Sequence, residues 1–228
     1  KVIVSELSQL YQVTEETIRR DLEKLENDGL AKKTYGGAVR NDSFNIDLPY
    51  TVRKQTNVGG KKYIAQIIGS MINDGDYVML DASSTALFIV KNIINKKKIT
   101  LITNSIEILL ELSNKTDWNI LSTGGMLKEG GLSLVGFQAE KMIGSFHVDL
   151  AVCSCKGIDM EMGVTDSNEK DAQIKKAFMR AAKKRVLAVD STKFDKISFM
   201  QIAELSDIDL IVTDAEPNEQ WKRHLESE

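Results

Sequence analysis

Several short polar runs in this chain carry residue types suited to holding an anion together with its hydroxyl groups. They are Asp81-Ala82-Ser83-Ser84-Thr85, Thr103-Asn104-Ser105, Ser122-Thr123-Gly124-Gly125, Lys156-Gly157-Ile158-Asp159 and Asp190-Ser191-Thr192-Lys193. Ser and Thr hydroxyls both donate and accept hydrogen bonds. A helix starting just after such a run adds unpaired, positively polarised N–H groups. The chemistry that fits is capture of a small phosphorylated polyol. Ser83, Ser84 and Thr85 form a phosphate cradle without the Gly-rich sequence of nucleoside-triphosphate sites, although an N-cap cluster ending a strand reads the same way. Asp81 and Asn104, the latter flanked by Thr103 and Ser105, suit sugar hydroxyls. Gly124 and Gly125 allow close backbone approach or a tight turn. Lys156, Lys175 and Lys193 are candidate anion partners; Lys193 stands out because, like Asp190, it lies in a run that follows a strand terminus.

Each polar run needs a scaffold that brings it to the others. Apolar stretches rich in Val, Ile and Leu occupy residues 77–80, 99–102, 119–121, 150–153, 185–189 and 210–212. Helical patterns lie between most of them, at 61–72, 86–94, 106–112, 139–143 and 171–184. Strands of this composition, alternating with helices, indicate a mainly parallel, Rossmann-like α/β sheet covered on both faces. Ligands collect beyond the carboxyl ends of such strands, and the polar runs fall there. The expected sensor domain is therefore 61–228, preceded by a connector over 41–60.

Residues 1–40 follow another plan. Apolar residues at helical spacing after Ser5, a candidate N-cap, give a first short helix. Thr14 caps a second, in which Ile18, Leu22 and Leu25 share one face. Gly29 is the expected stop, and Gly36-Gly37 marks a hairpin. Because the chain opens with Lys1 rather than Met, the expectation is a winged helix-turn-helix whose first helix is missing. Thr14, Glu16, Thr17, Arg19 and Arg20 lie at the end of the second helix that would meet base edges, and Arg can grip guanine through two hydrogen bonds. On the hairpin, Lys32, Lys33, Tyr35 and Arg40 are placed to meet the phosphate backbone. Charge alone would not nominate DNA, since residues 1–40 hold seven basic and seven acidic side chains.

Composition narrows the rest. The 228 residues, 42% hydrophobic and 28% charged with a net charge of −3, describe an ordinary globular chain rather than a collagenous or disordered one. No apolar run approaches the roughly 18 residues of a membrane span, and no secretory signal is visible, so a cytoplasmic location is expected. Cys153 and Cys155 would point to one face of a strand, a poor disulfide geometry, and without further ligands nearby they make a weak metal site. Neither a metal nor a cofactor is expected. An isomerase would need a carboxylate base and a partner acid; Asp81, Asp159, Glu169 and Asp190 are available, but no spacing pairs them. His147 and His224 fall outside the polar runs.

The stretch TEETIRRDLEKLENDGLAKKTYGGAV resembles the DNA-binding signature of the DeoR-type bacterial transcription regulators, with Thr17, Arg19, Arg20, Asp21, Leu22, Leu25, Gly29 and Gly36-Gly37-Ala38 at the family's spacing. DASST, TNS, TGG and DSTKF stand where such regulators carry their sugar-phosphate loops, and the segment 165–184 is also similar. The resemblance implies a repressor, not an enzyme, with an amino-terminal winged helix and a carboxy-terminal sensor related to sugar-phosphate isomerases. Its partners would be double-stranded operator DNA, a phosphorylated sugar effector and further copies of itself. A vestigially DNA-binding sugar-phosphate isomerase is the alternative. Ser154-Cys155-Lys156-Gly157 departs from the Ala-Asp-Gly of many members, which changes the charge entering the pocket there.

Overall fold

The computed structural model describes residues 1–27, 30–40, 48–113, 117–129 and 131–227. It divides into two units, Lys1–Pro49 and Tyr50–Glu228.

In the first unit, β1 (Val2–Ile3) leads into α1 (Val4–Tyr11) and α2 (Glu15–Asn27), followed by β2 (Ala31–Thr34) and β3 (Gly37–Arg40). The strands form an antiparallel sheet in the order β1-β3-β2. Gly36 turns the hairpin at φ +73°, a conformation that side chains with a Cβ rarely adopt. Ser5 does not cap α1. Because β1 pairs with β3, the helix starts at the strand's end, and the Val4 N–H donates to Gly36 O at 2.9 Å. Gln12 ends α1 in the left-handed region, and Thr14 caps α2 by accepting from Thr17 N at 3.2 Å. Val4, Ile18, Leu22 and Ala38 are the buried core, with Leu7 and Ala31 packed against it. Leu25, expected as a third anchor, is 39% exposed. The expected stop, Gly29, lies outside the described residues.

The second unit opens with α3 (Tyr50–Gln55) and α4 (Val58–Met71). The expected connector over 41–60 is therefore corrected: residues 50–55 and the first turn of α4 are helical, while 41–47 lie outside the described residues. Periodicity hid them because Gly59 and Gly60 sit in the first turn of α4. There Asn57 supplies order instead, accepting from Gly60 N at 3.2 Å.

Strands β4 (Tyr77–Leu80), β5 (Thr100–Thr103), β6 (Asn119–Ser122), β9 (Val148–Cys153), β12 (Ala182–Ala188) and β14 (Leu210–Val212) form one sheet in the order β14-β12-β9-β4-β5-β6, every neighbouring pair parallel. From the central pair β4 and β9 the order runs outward both ways, so the chain switches direction there. Alternate residues serve opposite faces. Val78, Leu80, Leu101 and Val152 pack with Ile64 and Ile68 of α4 and with Ile89 and Ile93 of α5 (Ser84–Ile93). Met79, Ile102, Ala151 and Leu187 pack instead with Phe178 of α8 (Glu169–Ala181) and Trp221 of α9 (Glu219–Ser227). Burial of each such large side chain favours folding by about 1.5–3 kcal/mol.

Expected and observed elements agree for β4 and for α6 (Ile106–Leu112). Residues 182–184 belong to β12 rather than α8, because Ala182 and Lys184 pair with Val148 and Leu150. A β-hairpin of β7 (Met126–Leu127) and β8 (Leu134–Val135), α7 (Phe137–Ile143), and a small antiparallel sheet of β10 (Gly157–Asp159), β11 (Gly163–Asp166) and β13 (Met200–Ala203) complete the unit.

Candidate functional site

The polar runs end parallel strands of one sheet and therefore share its carboxyl rim. At the centre, where β4 and β9 diverge, the Asp81 carboxylate accepts from Ser83 N at 3.1 Å and from Ser154 N at 2.9 Å. One buried side chain thus ties together the two halves of the sheet at its switch point, the position where open parallel sheets hold ligands. Lys175 on α8 pairs with Asp81 at 3.6 Å and, more closely, with Asp166 at the end of β11. Burial would lower the Lys175 pKa, but Asp166, Asp81 and Asp171 outweigh it and raise it above the ordinary lysine range. Lys175, expected as a candidate anion partner, is therefore a buried charge bound by two carboxylates rather than a solvated surface residue.

On β4–α5, Ser83 Oγ caps the helix by accepting from Ala86 N at 3.1 Å. Ser84 and Thr85 are buried, and their hydroxyls and backbone N–H groups have no hydrogen-bond acceptor among the described residues. On β5–α6, Thr103 Oγ1 donates to Leu80 O at 2.7 Å, and Ser105 Oγ accepts from Ile108 N at 3.2 Å. Asn104 is 2% exposed. Its Nδ2 donates to Leu134 O at 3.0 Å, which fixes the amide's orientation and leaves Oδ1 buried without a donor among the described residues. Such an orphaned acceptor is uncommon in a folded interior.

On β6, Thr123 is buried while Gly124 and Gly125 are exposed. Gly125 has φ +98°, and a Cβ there would lie 2.6 Å from Val135 O, so both conformation and space demand glycine. Beyond β9, Lys156 is half-buried. Beyond β12, Asp190 caps a short 3-10 turn, Ser191–Lys193, through Thr192; its carboxylate is occupied by that turn. Lys193 is half-buried and has no ion-pair partner among the described residues.

Three participants were not singled out from sequence. Lys128 of the β7–β8 hairpin pairs with Asp171 of α8 at 2.6 Å, which also accepts from Asn168 at 2.8 Å. Asp166 ends an antiparallel strand, GVTD, too short and mixed to show as an apolar run. Lys61 of α4 is buried, and its ammonium donates to the carbonyls of Arg53, at 2.8 Å, and Thr56, closing the end of α3. Burial is the main cause that lowers its pKa. The thiols of Cys153 and Cys155 are free and buried, and burial pushes Cys155 up to about 12.

In the first unit, Thr14, Glu16, Arg19 and Arg20 are exposed and Thr17 is half-buried near the start of α2. Arg19 pairs with Glu15 at 2.6 Å, whereas Arg20 and Lys32 have no ion-pair partner among the described residues. Lys33 is exposed and pairs with Glu23 of α2 at 3.2 Å. Tyr35, at the tip, is fully exposed. Arg40 ends β3.

A profile of the DeoR C-terminal sensor domain matches residues 56–215, and one of the DeoR-like helix-turn-helix domain matches residues 1–44. The chain belongs to the DeoR family of transcription regulators. It is 42% identical over 212 residues to the HTH-type transcriptional regulator YulB of Bacillus subtilis, covering 93% of this chain and 82% of that one. With the L-fucose operon activator of Haemophilus influenzae it shares 34% identity across 99% of this chain and 90% of that protein. These DeoR-family relatives are regulators, not enzymes, and the isomerase alternative is set aside. The eIF2B delta subunit of Chaetomium thermophilum shares the sensor's fold at a TM-score of 0.53 and 14% identity, over 73% of this chain and 60% of that one. Among the described residues, no helix is long and apolar enough to cross a membrane.

Proposed function

We propose that this DeoR-family chain is a cytoplasmic, homo-oligomeric repressor of a sugar-catabolism operon, released from its operator by a phosphorylated sugar bound at the carboxyl rim of the sensor sheet. The observation that carries the reading is unfilled hydrogen-bonding capacity on one buried rim. Ser84 and Thr85 offer donors at the start of α5, and Asn104 Oδ1 offers an acceptor one strand away. An anion belongs with the first set and a hydroxyl with the second, which together describe a phosphorylated polyol. Thr103, Ser105, Gly124, Gly125, Lys156 and Lys193 complete the rim, with Asp81, Ser83, Lys175 and Asp190 supporting it. A relative named for an L-fucose operon supports a carbohydrate-linked role.

On the DNA side, Arg20 is the leading base-reading candidate because it is exposed near the start of α2 with no ion-pair partner among the described residues; Thr14, Glu16, Thr17 and Arg19 flank it, and Lys32, Lys33, Tyr35 and Arg40 meet the backbone. Paired copies would set two α2 helices into successive major grooves. Coupling of about 1–3 kcal/mol between effector and DNA suffices for a 5- to 150-fold change in affinity.

The test combines selection of bound promoter fragments with a melting screen against sugar phosphates. The full chain should bind a promoter fragment and release it with at least one sugar phosphate. Arg20→Ala should weaken specific DNA binding by about 1–3 kcal/mol while leaving the sugar-phosphate melting shift unchanged. No promoter binding, with or without any sugar phosphate, defeats the reading. Gene expression that rises on deletion of the regulator fits repression, and expression that falls makes it an activator.

A further inference from the structure

The rim contains a second orphaned group, contributed by a segment that carries none of the polar runs. Tyr50, the first residue of α3, is 6% exposed, and its hydroxyl has no hydrogen-bond partner among the described residues. Buried phenols ordinarily find one. The Arg53 guanidinium lies over the ring at 5.4 Å from its centroid. Helix α3 packs on α5, and Lys54 pairs with Glu107 in the first turn of α6. Those two helices follow β4 and β5, the strands that end in Asp81 and Asn104. Burial first, then Glu107, holds the phenol above its ordinary pKa range, with Arg53 acting against and Asp81 in the same sense. The group therefore stays protonated and is a donor at neutral pH.

The neighbouring charges decide what it can meet. Glu107 is paired with Lys54, Asp81 with Lys175, and the Arg53 guanidinium lies over the ring, so each nearby carboxylate already has its counter-charge and an uncharged hydroxyl suits the phenol. Register sets Asn104 beside Asp81, because Leu80 and Thr103 are paired partners just before them. Besides the donors of Ser84 and Thr85, the described residues thus offer a further unfilled donor, Tyr50 O–H, and an unfilled acceptor, Asn104 Oδ1. A polyol hydroxyl can serve both, since it accepts and donates.

We propose that Tyr50 is a specificity-determining ligand contact, its hydroxyl donating to a polyol oxygen of the bound sugar phosphate while a polyol hydroxyl donates to Asn104 Oδ1. This rests on the effector reading above and adds that the polyol end, not the phosphate, lies under α3. Ligand occupancy is then sensed by the first residue of the sensor unit.

The test uses the full chain and Tyr50→Phe, with a panel of aldose and ketose phosphates and their monodeoxy analogues, read by melting and calorimetry. The expected result has three parts. Without ligand, Y50F melts at the wild-type temperature or above, because the hydroxyl it loses was unpaired. The sugar phosphate that binds wild type best binds Y50F about 10-fold more weakly, the order expected for one lost hydrogen bond. At least one monodeoxy analogue binds both proteins equally, as a double-mutant cycle requires for a direct contact. Equal affinity of both proteins for the parent sugar phosphate overturns this inference and leaves the effector reading standing. So does a lowered melting temperature of unliganded Y50F, which would make the phenol structural, or an equal penalty with every monodeoxy analogue. If no sugar phosphate binds wild type, both readings fall.

Discussion

The two units place their candidate functional groups in opposite environments. In the first, four buried apolar side chains hold two short helices and a hairpin, and the side chains available to a partner are exposed. In the second, two large apolar clusters cover a six-stranded sheet, and the polar groups of interest are themselves buried at its rim. Cations illustrate the contrast. Arg20 and Lys32 are exposed and have no ion-pair partner among the described residues, whereas Lys175 is enclosed with Asp81 and Asp166. Exposed recognition can change at little cost to folding, because a surface side chain away from special features rarely moves stability by more than about 0.5 kcal/mol. A buried group that is paired cannot, because removing Lys175 would leave the desolvated Asp81 and Asp166 without their cation.

Substitutions can break or sharpen that contrast. The largest effect is expected from Lys175→Met, which strands Asp81 and Asp166 without their cation. The second unit should lose about 3–5 kcal/mol in urea unfolding; a loss below 1 kcal/mol would show the buried charges to be less interdependent than their geometry implies. Next is Leu22→Ala, expected to cost the first unit about 2–4 kcal/mol. Hydrogen exchange should then accelerate in α1 and α2 while the melting response to sugar phosphates is kept; loss of both would mean that the units do not fold separately.

The smallest is Asp171→Asn, which removes the anchor of the β7–β8 hairpin at Lys128. Burial would raise the Asp171 carboxyl, but Lys175 and Lys128 outweigh it and hold it below its usual range. A carboxyl lowered in the folded state stabilises the fold above its unfolded pKa of about 3.9, and that stabilisation is lost as pH falls through the lower folded value. Wild type should therefore exceed D171N by about 1 kcal/mol at pH 7. The gap should close in acid. A gap independent of pH would show that the carboxylate's charge plays no part.

What the sequence revealed followed from repetition of a physical signal. Each strand of the main sheet carries an apolar run, so all six stood out, and the polar turns after most of them marked the rim. The recognition helix was legible because Thr14 and the Ile18–Leu22 spacing act within one element. Signals that depend on distant partners were silent. Leu25 is apolar at the right spacing yet exposed, since spacing alone does not say whether a partner covers it. Lys175 reads as one more basic residue on an amphipathic helix until Asp81, 94 positions earlier in the chain, is seen beside it. Helix α3 and Tyr50 were lost in a stretch whose order comes from the Asn57 cap and the Lys61 plug rather than from periodicity.

That plug has a mechanical corollary. With the trailing carbonyls of α3 gripped by the Lys61 ammonium, a helix only about 9 Å long is hinged at its rear while its front bears Tyr50. A tug on the phenol would swing such a rod rather than draw it along its axis. The swing would be widest at the front, at Tyr50 itself.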